Sequence, residues 1–202
     1  MDQINVVGAD AMTHNSLFED SNQTLTAKEK FKPSFSIGSQ CEKLFKQCCK
    51  QNNLNVIGSN NQQDMRDHYD FKVINPKTNN SRLVDVKAIK NINRYDKKTN
   101  LDFTIIEFKN VNGNKGWLEG KADYIGFQKP NGFLMVNRKI LRDYCISKMY
   151  NKNQVIQKPY TISDPQNSTY QFFTRKGRKD KFIYIPFKDL YDIKDRWILN
   201  YA

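Results

Sequence analysis

Residues 69–90, YDFKVINPKTNNSRLVDVKAIK, carry the reading of the fold. Strand-like residues over 70–74 and 83–89 flank Asn75-Pro76-Lys77-Thr78-Asn79-Asn80, a run of turn formers, and this pattern predicts a β-hairpin. Of the chargeable side chains in it, Asp70, Asp85 and Lys87 are the ones the strand pattern can bring together. Side chains two apart on a strand share a face, so Asp85 and Lys87 project together while Val84, Val86 and Ala88 take the other side. The hairpin can bring Asp70 beside them. The plain alternative for such an Asp-x-Lys is a solvated surface pair.

Upstream of the hairpin, Ile37, Cys41, Leu44, Phe45, Cys48 and Cys49 follow the rhythm of an amphipathic helix over 37–51, with Ser34 or Ser36 as its cap. Glu42 falls at the margin of the apolar face. Residues 1–33, polar and without periodicity, are expected to form a flexible arm, leaving 34–202 as one domain. Downstream, strands are expected at 101–108, 122–128 and 132–136, with the loop NGNKGWLEGK (112–121) between the first two. Asn137 is placed to cap a helix bearing Ile140, Leu141, Tyr144, Cys145 and Met149 on one face. TYQFFTRKGRKDKFIYIPF (169–187) predicts a hairpin with a basic tip, and KDLYDIKDRWI (188–198) a short final helix. The expected fold class is α/β: a mixed β-sheet flanked by helices, ending in a basic hairpin and helix.

Composition narrows the function classes. The chain has 202 residues, 38% of them hydrophobic, and 33 Lys and Arg against 21 Asp and Glu. That composition is too apolar for a disordered protein, and no apolar run is long enough for a membrane span. Residues 1–30 are net acidic by three charges, which leaves a net +15 on the rest. A body so basic suits a polyanion, although a lysine-rich composition alone would produce the same number. Cys41, Cys48, Cys49 and Cys145 lack zinc-site spacing and read as small core residues. The N-terminus has no signal-like start, so a cytoplasmic setting is expected.

Two carboxylates are the donor set Mg2+ takes, because this hard cation keeps most of its water shell. A cation held there neutralises charge on a phosphate and lowers the pKa of a bound water, and a neighbouring lysine orients that water or takes its proton. The arrangement of helix, hairpin, Asp70 and Asp85-Val86-Lys87 resembles the PD-(D/E)XK nuclease superfamily over residues 38–128. Tyr69 stands where the family often has proline. IIEFKNVNGNKGWLEGKADYIGF (105–127) resembles phage-type or Holliday-junction-resolvase-like members.

The resemblance implies a restriction-endonuclease-like core and a metal-dependent endonuclease acting on DNA in repair, recombination or restriction. Its catalytic residues would be Asp70, Asp85, Lys87 and Glu42, and its metal donors Asp70, Asp85, Glu42 and Glu107. The cofactor would be Mg2+, with Mn2+ as a substitute. Glu107-Phe108-Lys109 is a second candidate for the (Asp/Glu)-x-Lys element, with Asp85 as its upstream acid. A non-catalytic binding module on the same fold remains open, as do RNA as the polymer and a homodimer. Arg175, Lys176, Arg178, Lys179 and Lys181 are expected on the phosphate backbone, joined by Lys90, Lys121 and Trp117. Trp117 between glycines is a candidate for base stacking, but its favoured reading is a loop anchor packed on the core.

Overall fold

The computed structural model describes residues 32–91, 99–149, 153–158 and 166–201; the arm expected over 1–33 lies outside them up to residue 31. The hairpin forms as predicted. Strand β2 (Phe71–Ile74) pairs antiparallel with β3 (Ser81–Lys87), Phe71 opposite Val84 and Ile74 opposite Ser81. Asp70 stands one residue before β2, yet its N–H already bonds Val84 O at 2.8 Å. Its place on the ladder is therefore fixed.

Helix α1 (Lys32–Gln51) begins before both serines expected to cap it. Pro33 occupies its first turn, where a missing N–H costs nothing. Its apolar face, Cys41, Phe45, Cys48 and Cys49, packs in one core with Phe71, Val73, Val84, Val86, Phe133 and Met135. All four cysteines are free and buried.

A six-stranded sheet runs β1-β2-β3-β5-β6-β10, with β1 (Asn55–Gly58), β5 (Tyr124–Lys129), β6 (Gly132–Asn137) and β10 (Arg196–Asn200). β3 and β5 are parallel, and the other neighbours are antiparallel. Asn137 caps α2 (Arg138–Lys148), its side chain accepting from the N–H groups of Lys139 and Ile140. On α2, Leu141 and Cys145 are buried as expected, whereas Ile140 is exposed.

Two expectations are corrected. The sheet is not single. β4 (Phe103–Lys109) joins β9 (Lys181–Pro186), β8 (Phe172–Thr174) and β7 (Val155–Gln157) in a second sheet ordered β4-β9-β8-β7. Ile106, Phe108, Ile183 and Ile185 of this sheet share a core with Ile125, Phe127, Leu134 and Val136 of the first, and with Leu141 and Cys145 of α2. Nor does the chain end in a helix over 188–198. Phe187–Asp192 is a 3-10 turn, and β10 follows, with Leu199 buried opposite Phe133 and Ile198 exposed. The open edge of β6 supplies ladder bonds along five residues, and tertiary pairing overrides a weak helical preference. No helix among the described residues is long and apolar enough to cross a membrane.

Candidate active site

Asp85 lies in the middle of β3 and is 3% exposed, which removes the solvated-pair alternative for it. Its Oδ1 accepts from Lys87 Nζ at 2.6 Å, and its carboxyl also shares a side-chain hydrogen bond with Asp70. Two buried carboxylates in contact are costly unless a proton or a cation sits between them. Asp70 is the neighbouring carboxyl. Its Oδ2 accepts the Val86 N–H at 2.7 Å, so the hairpin backbone itself aims it.

Electrostatics separate the two acids. Burial, then the charge of Asp85, raises the Asp70 carboxyl to about 7, against the opposing pull of Lys87 and the Val86 hydrogen bond. Burial also pushes Asp85 up, with the Lys87 ammonium opposing. For Lys87 burial acts downward, but Asp85 and Asp70 outweigh it, and the net displacement is upward. The site thus holds two carboxyls competing for ionisation beside a lysine that stays charged.

These groups line an acidic pocket of about 230 Å3 together with Glu42 of α1, Asp64 and His68. Glu42 is half-buried, its carboxyl raised by burial and then by Asp70 and Asp64. Asp64 was not singled out from the sequence. It sits in a π-helical turn, Gln63–Asp67, and His68 follows at φ +53. A cluster of acids just ahead of the hairpin was the available signal.

Among the described residues no three or more His, Cys, Asp or Glu side chains are grouped so as to hold a metal ion. The donor chemistry nonetheless fits a hydrated Mg2+. Two adjacent carboxyls are what that ion takes from protein, and Asp70 with Asp85 supplies such a pair.

Glu107 does not line the acidic pocket but stands close enough to act on Lys87: burial raises its carboxyl, and the Lys87 charge is the first to oppose that. It lines a second cavity, of about 420 Å3, which shares only Lys87, Ala88 and Lys90 with the acidic pocket. Lys109 lines neither cavity; it is exposed beyond an irregularity in the β4–β9 register between Glu107 and Lys109. The geometry therefore favours Asp85-Val86-Lys87 over Glu107-Phe108-Lys109 as the motif that gathers carboxylates.

Trp117 is packed in the core and also lines the second cavity. It is buried, meets Phe127 edge-on, and has Lys87 Nζ 5.1 Å from its ring centroid. The turn carrying it fits because Gly116 and Gly120 approach other backbone closely. A Cβ on Gly116 would lie 2.5 Å from Glu107 O, and one on Gly120 would lie 2.6 Å from His68 Cβ. Arg138, buried at the start of α2, donates to Leu118 O and Ala122 O and holds the turn from behind. Lys121 is exposed and ion-paired with Asp67 at 3.0 Å.

The basic tip divides in two. Lys176, Arg178 and Lys179 are exposed. Arg175 pairs with buried Asp180 at 3.2 Å and reaches the second cavity, while Lys181 Nζ stands 3.7 Å from the Phe172 ring centroid. Burial, then Lys109, lowers the Lys181 ammonium. Comparison of the chain with protein-family models, with curated proteins and with solved structures found no match.

Proposed function

We propose that this chain is a Mg2+-dependent nuclease with a restriction-endonuclease-like core, hydrolysing phosphodiester bonds of DNA. The observation that carries the reading is the buried Asp85 carboxyl, hydrogen-bonded to the Asp70 carboxyl and next to a charged Lys87. A buried carboxylate dyad costs stability, and a cation requirement explains why a fold would keep it.

Asp70 and Asp85 would hold the metal, with Glu42 and Asp64 lining its approach. Bound Mg2+ supplies charge neutralisation at the phosphate and a bound water of lowered pKa. Lys87, kept as an ammonium by its two carboxylates, donates to a phosphate oxygen and stabilises the charge of the pentacovalent transition state. It is a better donor than proton acceptor in this setting. Lys176, Arg178 and Lys179 offer backbone phosphates a sequence-independent grip.

The test is incubation of the full chain with labelled linear, single-stranded and four-way-junction DNA in Mg2+, Mn2+ or EDTA. Cleavage that needs metal and disappears in Lys87→Ala and in Asp70→Asn supports the nuclease. Salt-sensitive binding with no cleavage under any metal leaves a binding module on the same fold.

A further inference from the structure

Between the two sheets, on the far side of Lys87 from the carboxylates, lies the cavity of about 420 Å3. That size falls within the roughly 300–1,000 Å3 span of small-molecule sites. Its wall has two chemistries. Phe103, Phe187 and Tyr191 present aromatic rings that are not fully buried. Phe187 meets Phe127 and Tyr191 at steep interplanar angles of 83° and 62°, so neither contact is a face-to-face stack. Lys90 and Arg175 stand on the same wall, and Glu107 is the one carboxylate that the described lining contains.

Flat rings select a flat ligand, and an excess of cations selects an anion. A nucleotide is both. Lys87 and Lys90 line this cavity and the acidic pocket alike, so the two spaces adjoin across a single pair of ammonium groups. We propose that this cavity receives one unstacked nucleotide neighbouring the scissile phosphate: its base against Phe187 and Tyr191, its phosphate on Lys90 and Arg175, and a base amino group facing Glu107.

This inference rests on the nuclease reading and narrows it. A base engaged in pairing and stacking cannot enter such a space, so the substrate is a strand unpaired, bulged or flipped at the point of cleavage. Removing the base should cost one stacking contact, about 5- to 140-fold in affinity.

The experiment measures binding of the full chain in EDTA, by fluorescence anisotropy, to three duplexes: fully paired, with one unpaired nucleotide, and with one unpaired abasic residue. The two unpaired duplexes are similarly flexible and differ by the base. The unpaired base should bind about 5- to 140-fold tighter than the abasic residue. Tyr191→Ala, at a position 37% exposed, should erase that difference. Binding and metal-dependent cleavage that are equal for base and abasic residue overturn the cavity assignment and leave the nuclease standing. Adenosine monophosphate bound by the wild type and lost in Tyr191→Ala, with no strand bound or cut, keeps a free nucleotide in the cavity and removes the nuclease. Binding of neither strand nor monophosphate overturns both.

Discussion

The Asp70 carboxylate accepts the backbone N–H of Val86, the residue that separates Asp85 from Lys87, at 2.7 Å. One hairpin bond thus aligns all three chargeable groups, and the acid it aligns is held near neutrality at about 7. Asparagine retains an oxygen for Val86 and removes the charge. Asp70→Asn should therefore fold normally, abolish metal-dependent cleavage and raise the thermal midpoint in EDTA at pH 7.5 by about 2–4 °C per kcal/mol relieved. A variant less stable than wild type would show that the carboxylate pair is not under strain.

The pH dependence follows from the same group. Its folded carboxyl binds a proton more tightly than the unfolded chain, where its ordinary value is 3.8. Between those values the native state holds more protons, so stability from Asp70 is full at the acid end and is lost as pH rises through about 7. Urea titrations in EDTA from pH 5 to pH 8 should show wild type losing ground to Asp70→Asn across that window.

Magnesium should act in the opposite direction. A cation that binds only the folded state stabilises it by mass action, and here it must displace the Asp70 proton. The rise in melting temperature on adding Mg2+ should grow from pH 6 to pH 8 and be absent in Asp70→Asn. Calorimetric melts at several Mg2+ concentrations measure it.

Removing Lys87 strips Asp85 of its counter-ion. Lys87→Ala should lose cleavage by about 100-fold or more, in line with loss of a transition-state donor. It should also lose about 3–5 kcal/mol in EDTA, the usual cost of a broken buried pair. Mg2+ should restore part of that stability and none of the rate. Denaturation with and without metal, beside single-turnover cleavage, separates the two effects.

At the basic tip the residues divide by environment. Lys176→Ala with Lys179→Ala should weaken DNA binding evenly across sequences and reduce the salt slope by about two, with stability unchanged. Arg175→Ala should additionally cost about 1.5–3 kcal/mol, because Asp180 is buried and loses a charged partner. Anisotropy at several salt concentrations and chemical denaturation read these out.

Local signals in the sequence carried much of the frame. The β2–β3 turn, the Asn137 cap and the apolar stripe of α1 are each specified by neighbours in the chain, and each appears. Partner choice is not local. Phe103–Lys109 has the alternation of any half-buried strand, and only the long-range match of Ile106 with Ile183 puts it in a second sheet. Glu107-Phe108-Lys109 imitates Asp85-Val86-Lys87 for the same reason, since a period of two cannot say which sheet face meets other acids. The strand over Arg196–Asn200 was hidden because its partner, β6, lies some sixty residues earlier. At the site, the hairpin acids and Glu42 could be read from spacing, whereas Asp64 and Arg175 reach their cavities through tertiary packing alone.

Lys87 belongs to the wall of both cavities, and this makes it a thermodynamic junction. A cation arriving among the carboxylates frees its ammonium from Asp85, and an anion arriving on the other side competes for the same charge. Two ligands that act on one shared group have coupled affinities. By reciprocity, whatever factor occupancy of the acidic pocket adds to binding in the aromatic cavity is returned undiminished in the other direction. The side chain proposed to stabilise the reacting phosphate would thereby also report to each half of the site whether the other is filled.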